Sequence, residues 1–69
     1  MDIRRQVGLN VRRLREARGL SQEELAFEAE LHRTYISGVE RGVRNPTVMV
    51  LFKIAEGLKV TPDQLLKAR

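Results

Sequence analysis

The sequence contains no cysteine and only one histidine, His32, among its 69 residues. The chain therefore cannot form a disulfide or use a thiolate, and a lone imidazole is a poor metal site or catalytic base. Aromatic residues make up only 4% of the chain, too few for the stacking platforms that bind single-stranded nucleic acids. A glycine-rich phosphate loop is also missing. These shortages argue against an enzyme, a cofactor site and a metal site.

Long hydrophobic runs are also lacking. No apolar stretch approaches the roughly 20 residues that a membrane span needs, and the N-terminus lacks the apolar segment of a signal peptide. We therefore expect a soluble, cytoplasmic protein without a membrane partner. A chain of 69 residues suits one small domain, 1–69, and leaves no room for a second, ligand-sensing domain.

What the chain does have is positive charge. Its 13 Lys and Arg residues outnumber 9 Asp and Glu residues, which gives a formal charge of +4 and a pI near 10.4. Such a balance favours a polyanionic partner. The first 19 residues hold six arginines and two acidic residues. A solvated helix face would have the same composition, so charge alone does not decide between the two interpretations.

Hydrophobic spacing predicts five helices and no strands, an all-α fold. The predicted helices are 3–18, a second that begins at a capping box of Ser21 and Glu24, 33–41, 48–58, and a fifth after Thr61. We expect Thr61 to cap the fifth helix, Pro62 to take its first position and Gln64 to complete a second capping box. The side chains expected in the core of the first, fourth and fifth helices are Ile3, Val7, Val11, Leu14, Val48, Leu51, Ile54, Ala55, Leu58, Leu65 and Leu66.

The stretch 21–42 reads as two short helices joined by a tight corner. The second helix is predicted to present Arg33, Thr34, Ser37 and Gly38 outward, with Tyr35 at the edge. A short helix with such side chains, on a basic protein, suits the major groove of duplex DNA. Arg33 is a cation at a helix start, where it opposes the helix dipole. This placement favours a contact with DNA, such as a bidentate bond to guanine.

Three apolar residues, Met49, Val50 and Phe52, fall outside the core stripe of the fourth helix. A broad stripe on a well-buried helix would explain them. A face for self-association would also explain them, since a small domain rarely leaves such side chains in water. Two copies related by a twofold axis would read a palindrome with half-sites roughly 34 Å apart.

The segments GLSQEELA and LHRTYISGVERGVRNPT closely resemble the helix-turn-helix family of phage repressors and Cro proteins. Within that family the chain looks most like the controller proteins of restriction–modification systems. The resemblance extends from Val7 to Leu66. The residues at the family's spacing are Gln22, Ala26, Leu31, Ile36, Glu40, Gly42 and Pro46. The resemblance implies a compact five-helix bundle of the phage repressor DNA-binding type, with helices 2 and 3 as the helix-turn-helix.

The resemblance also implies a set of residue roles. Gln22 would hold a phosphate, Arg33 would reach guanine and Thr34 would touch a base. Tyr35 would meet the backbone or the centre of the site, although a half-buried core ring is an open alternative. The remaining polar and phosphate contacts would come from Ser37, Arg41, Arg44 and Asn45. A salt bridge between Arg15 and Glu40 would join helix 1 to helix 3.

Three positions depart from the family pattern. Glu30 occupies the corner and Lys59 follows helix 4, where glycine is usual. A left-handed conformation at a residue other than glycine costs of the order of 1 kcal/mol. His32 replaces the usual Ser, Thr or Asp that caps helix 3, so that cap should be weaker.

The function expected from this sequence is sequence-specific transcriptional regulation by a homodimer on duplex DNA. Without an effector domain, occupancy of the DNA site would follow protein concentration, which suits autoregulation. We expect a nucleoid-associated protein of bacterial or phage origin. Repression by blocking RNA polymerase and activation by touching it both stay open. The alternatives are an antitoxin of the same fold and a phage-type repressor.

Overall fold

The computed structural model describes residues 2–68 and contains five α-helices with no strand in that range. The helices are α1 (Ile3–Ala17), α2 (Gln22–Ala29), α3 (Arg33–Glu40), α4 (Val48–Leu58) and α5 (Asp63–Leu66). The predicted all-α fold is confirmed, with helix bounds within two residues of those expected. Over the described residues, no helix combines the length and apolar character needed to cross a bilayer.

The core is built from the inward stripes of all five helices. Its buried apolar residues are Val7, Val11, Leu25, Ala26, Ala29, Ile36, Val39, Ile54, Ala55, Leu58 and Leu65. Three predicted core residues are instead exposed: Ile3 at 53%, Val48 at 69% and Leu66 at 47%. Ile3 and Val48 begin their helices and Leu66 ends its own. The apolar stripe of each helix continues to its end, where the last side chain lies largely in solvent.

Four helices end with the same turn, in which a left-handed residue is followed by an apolar one. Gly19 and Gly42 take φ values of 70° and 77°, whereas Glu30 and Lys59 take 59° and 58°. In each case the next residue donates its N–H to the carbonyl five residues back, as from Leu31 to Ala26 at 2.8 Å. This pattern is the Schellman motif. The unusual corner at Glu30 therefore has the geometry that a glycine would take, with the strain of a side chain added.

The start of α5 differs from the sequence prediction. The helix begins at Asp63, Pro62 precedes it, and no side chain caps it. The second capping box predicted for Thr61 and Gln64 is wrong, because the N–H of Gln64 donates to the backbone carbonyl of Thr61 at 3.0 Å. A four-residue helix needs an external anchor. The buried Asn10 amide supplies one by donating to the carbonyls of Leu65 and Lys67 at 2.9 and 2.8 Å.

Small residues let the helices approach closely where they cross. A Cβ added at Gly8 of α1 would lie 2.4 Å from the carbonyl oxygen of Val39 in α3. A Cβ at Gly57 of α4 would lie 3.1 Å from a methyl of Leu25 in α2. The absence of a side chain at Gly8 thus allows a close helix crossing, and α1 fixes the C-terminal end of α3 by direct backbone contact.

Candidate nucleic-acid interface

The helix α3 presents polar side chains along one side while its other side is fixed in the core. Ile36 and Val39 are fully buried, and α1 and α2 pack against this side. Arg33 and Thr34 are exposed at its first turn, and Ser37 is half-buried one turn later. His32 precedes the helix without a side-chain cap bond, which agrees with the weak cap expected there. The first turn of α3 therefore offers free N–H groups together with the Arg33 and Thr34 side chains.

Gly38 does not face the solvent as predicted. It is buried, and an added Cβ would lie 2.5 Å from Cγ of Arg44. The chain returns after α3, and the N–H groups of Val43 and Arg44 both donate to the carbonyl of Gly38, at 3.0 and 3.2 Å. The stem of Arg44 therefore crosses α3 at the one position that lacks a side chain. Helical periodicity alone cannot reveal such a covering side chain from the next loop.

Tyr35 and Arg44 form a stacked pair beside α3. The guanidinium carbon of Arg44 lies 5.3 Å from the centre of the Tyr35 ring, a cation–π distance. The ring itself is half-buried and packs against the core. The ring therefore contributes to packing and also holds an exposed cation at the edge of α3, whereas a contact of Tyr35 with DNA stays a prediction.

A hydrogen-bonded network joins α1, α2 and α3 behind this surface. The Arg15 guanidinium donates to both carboxylate oxygens of Glu40, at 2.7 and 3.0 Å, and to the carbonyl of Leu20 at 2.8 Å. Side-chain exposures are only 11% for Arg15 and 3% for Glu40. The amide of Gln22 also donates to Glu40, at 3.0 Å. That amide keeps a second N–H, which leaves one donor for an external acceptor.

The hydrogen bond with Glu40 raises the pKa of Arg15, against the opposing effect of burial. A cation whose pKa is raised by folding contributes its full stabilisation below its unfolded pKa and loses it only as the pH rises through its folded pKa. Both values for an arginine lie far above neutrality. The contribution of the Arg15 charge is therefore constant through the neutral range.

The other residues predicted to bind DNA lie at the ends of this surface. Arg41 is exposed directly after α3, one turn beyond Ser37. Asn45 is also exposed, but it borders a separate depression that includes Ile3, Pro46 and Leu66. The fold thus brings Arg33, Thr34, Ser37 and Arg41 onto one side of α3 and leaves Asn45 at the margin.

A second exposed surface lies on α4. Met49 and Phe52 have exposures of 69% and 53%, and Val50 is half-buried. Val48, expected in the core, extends this surface with its 69% exposure. The broad-stripe explanation therefore holds at most for Val50, since the described residues leave the side chains of Met49 and Phe52 in solvent.

Sequence reasoning assigned no role to Phe27, which at 80% is the most exposed large hydrophobic residue within residues 2–68. It lies with Leu20 and three glutamates, Glu23, Glu24 and Glu28, around a depression of about 500 Å³. The helical period of α2 already places position 27 opposite Leu25 and Ala29. The exposure was therefore readable from the sequence, although no motif drew attention to it.

Comparison with known proteins agrees with this architecture. A helix-turn-helix family model matches residues 11–65. Control protein C.BamHI of Bacillus amyloliquefaciens is 48% identical over 66 residues, which cover 94% of this chain and 82% of the relative. An uncharacterized HTH-type transcriptional regulator, y4dJ of Sinorhizobium fredii, is 44% identical over 66 residues, covering 96% of this chain and 86% of the relative.

A solved structure is similar over nearly the same range. The restriction–modification controller protein C.AhdI from Aeromonas hydrophila superposes with a TM-score of 0.88 at 45% identity, covering 90% of this chain and 94% of that one. The match includes α2 and α3, and the family consists of regulators rather than enzymes. The chain belongs to the helix-turn-helix family of DNA-binding transcriptional regulators, and within it the chain is similar to restriction–modification controller proteins.

Proposed function

We propose that this protein regulates transcription as a homodimer that binds a palindromic or pseudo-palindromic DNA operator. The observation that carries the proposal is the exposed first turn of α3, where Arg33 and Thr34 project from a helix whose opposite side is buried. A helix held in this way can enter the major groove without first paying for its own ordering.

Each exposed residue has a contact that its position supports. Arg33 and Thr34 reach base edges, and Ser37 adds a polar contact one turn deeper. The second N–H of Gln22 donates to a phosphate while Glu40 holds the first. Arg44, held against Tyr35, Arg41 and Asn45 meet the sugar-phosphate backbone. Backbone contacts fix the register of the protein, whereas base contacts determine its sequence preference.

The dimer forms through the exposed surface of α4. Met49, Val50 and Phe52 would be covered by the same residues of a second copy, which gives a twofold contact. Two copies of α3 would then read two half-sites. The similarity to controller proteins supports a role in regulating restriction–modification genes. RNA polymerase would be blocked or contacted according to where the operator lies.

Selection of binding sites from random duplexes tests the proposal as a whole. We expect an inverted repeat whose half-sites are centred roughly 34 Å apart, one helical turn or a multiple of it. For a dimer that neutralises roughly 6 phosphates, log K should fall against log salt with a slope near −5. Enrichment of no sequence, together with an affinity that does not depend on salt, would contradict the proposed function.

The variant Arg33→Ala should lose sequence preference. A bidentate arginine–guanine contact supplies about 1–3 kcal/mol of discrimination, so affinity for the selected operator should fall by about 5- to 150-fold. Affinity for random DNA should fall far less. Fluorescence anisotropy with both duplexes gives the two constants, and Gln22→Ala serves as the comparison because a phosphate contact should weaken both duplexes alike. Equal losses in Arg33→Ala would assign Arg33 to the phosphate contacts instead.

The variant Phe52→Glu should be monomeric. A carboxylate at the centre of an apolar interface would have to be buried without a partner. The free energy of that burial would exceed what a small apolar interface contributes to association. Sedimentation velocity measures the outcome, and Phe27→Glu is the matched control, since Phe27 is the other exposed phenylalanine but lies on α2. A dimer that survives Phe52→Glu and dissociates with Phe27→Glu would place the interface on α2.

A further inference from the structure

A depression of about 210 Å³ lies between α1 and the C-terminal end of α3. Arg5, Leu9 and Arg12 line it from α1, and Glu40 and Arg41 line it from α3. The three residues of α1 are spaced at i, i+4 and i+7, so they share one side of the helix. None of the three belongs to the DNA contacts proposed above, and Leu9 is 54% exposed.

The depression carries an excess of positive charge. Glu40, its only acidic residue, already accepts hydrogen bonds from Arg15 and Gln22. Within residues 2–68, Arg5 and Arg41 take part in none of the ion pairs. Arg12 pairs with Glu16 at 3.3 Å, but both side chains are more than half exposed, and such pairs contribute little. Three guanidinium groups therefore surround the depression, and its one carboxylate is already hydrogen-bonded to other residues.

The walls of the depression are held in place by backbone contacts. Gly8 touches the carbonyls of Val39 and Glu40, and the stem of Arg5 passes Gly42 so closely that a Cβ there would lie 2.9 Å from Cγ of Arg5. The C-terminal end of α3 alone would repel an anion, since the helix dipole is negative there. An anion in this depression would thus depend on the arginines.

We propose that Arg5, Arg12 and Arg41 together bind a phosphate of the DNA backbone, next to the phosphate assigned to Gln22. The planar guanidinium group matches phosphate geometry with two parallel hydrogen bonds. Glu40 lines the depression and also holds Gln22, so the two phosphate positions are neighbours. Arg41 continues the side of α3 that bears Arg33 and Ser37, and Leu9 supplies an apolar contact for the sugar. The inference rests on the proposed function and extends the DNA contact from the helix-turn-helix to α1.

The test uses the double variant Arg5→Gln/Arg12→Gln with the selected operator and with a random duplex over a range of KCl concentrations. Because each of the two protomers would lose one phosphate contact, the salt slope should become less steep by about 2, and affinity should fall on the order of tenfold for both duplexes alike. Arg13→Gln/Lys67→Gln removes the same charge outside the depression and should leave the slope nearly unchanged. Arg5→Lys/Arg12→Lys should restore the slope, because a lysine charge also neutralises phosphate.

Ethylation interference locates the contact on the DNA. The wild-type protein should be sensitive to one more phosphate per half-site than the Arg5→Gln/Arg12→Gln variant. Inorganic phosphate, added at constant ionic strength, should leave the amide NMR spectrum of the free protein unchanged if the site needs the DNA backbone. A response localised to residues 5–12 and 40–42 would overturn the assignment to DNA in favour of a site for free phosphate.

Two further outcomes would overturn the proposal about the depression. One is a double variant with the wild-type salt slope and interference pattern, and the other is a fall in the ratio of operator to random affinity, which would indicate contact with bases. If the wild-type protein itself binds no duplex with salt dependence, the proposed function fails. If the wild-type protein binds DNA with salt dependence and the double variant binds in the same way, the proposed function stands and the phosphate site on α1 is rejected.

Discussion

The variant Glu40→Ala should lose about 3–5 kcal/mol of folding free energy, because removing one member of a buried ion pair leaves the other charge without a partner. The Arg15 guanidinium would retain only its bond to Leu20 and a long contact of 4.0 Å with Glu16. A chain of this length has about 3–10 kcal/mol of stability in total. The variant should therefore be marginally folded at 25 °C, as measured by urea unfolding followed by circular dichroism.

A matched control comes from α1 itself. Glu16 pairs with Arg12 at 3.3 Å with both side chains exposed, so Glu16→Ala should cost less than about 1 kcal/mol. The two substitutions remove the same chemical group and differ mainly in burial. A cost below 1 kcal/mol for Glu40→Ala as well would mean that the network contributes no more than a surface pair.

The same network links stability to DNA binding. Gln22 donates to Glu40, so the substitution also frees the amide that we assign to a phosphate. In the double variant Arg15→Leu/Glu40→Leu, apolar packing should recover much of the lost stability. Affinity for operator and random DNA should stay low, because Gln22 has no anchor. Recovery of both stability and affinity would show that Gln22 needs no partner for its contact.

Local chemistry made most of the helix bounds predictable. Ser21 and Glu24 form both bonds of the capping box, and Thr47 accepts from the N–H of Val50 at 3.2 Å. Each of these interactions joins residues no more than three positions apart, so it can be predicted from the local sequence. The predicted cap at Thr61 is absent. The helix α5 is held instead by the Asn10 amide, whose bond to Leu65 joins residues 55 positions apart.

The limits of prediction for the site have the same physical origin. The helical period of α3 placed Arg33, Thr34 and Ser37 correctly on its outer side, since the apolar residues of the same helix mark the side that is buried. The same period also placed Gly38 on the outer side, but the stem of Arg44 covers this residue. Likewise, the spacing of Arg5, Leu9 and Arg12 marks one side of α1, but only the fold brings that side to the end of α3. The contacts between elements are what the sequence left undetermined.

The variant Gly8→Ala should destabilise the fold by about 3 kcal/mol, although alanine is the better helix former by about 1 kcal/mol. The added methyl would lie 2.4 Å from the carbonyl oxygen of Val39 and 2.7 Å from that of Glu40. Both atoms belong to the backbone of α3, so the clash cannot be relieved by a change of rotamer. Overpacking usually costs about 1–3 kcal/mol, and fixed opposing atoms favour the upper end of that range.

Gly57→Ala separates this clash from helix propensity. Its methyl would meet Cδ1 of Leu25 at 3.1 Å and the nitrogen of Ala29 at 3.3 Å, a tight but less severe contact with one movable neighbour. Its gain in propensity should nearly offset the crowding, so the urea midpoint should shift little. In Gly8→Ala the midpoint should fall sharply, and affinity for operator DNA should fall with it because α3 must move away from α1. An unchanged midpoint in Gly8→Ala would mean that α1 does not hold α3 by backbone contact, and the rigid presentation of Arg33 and Thr34 would lose its support.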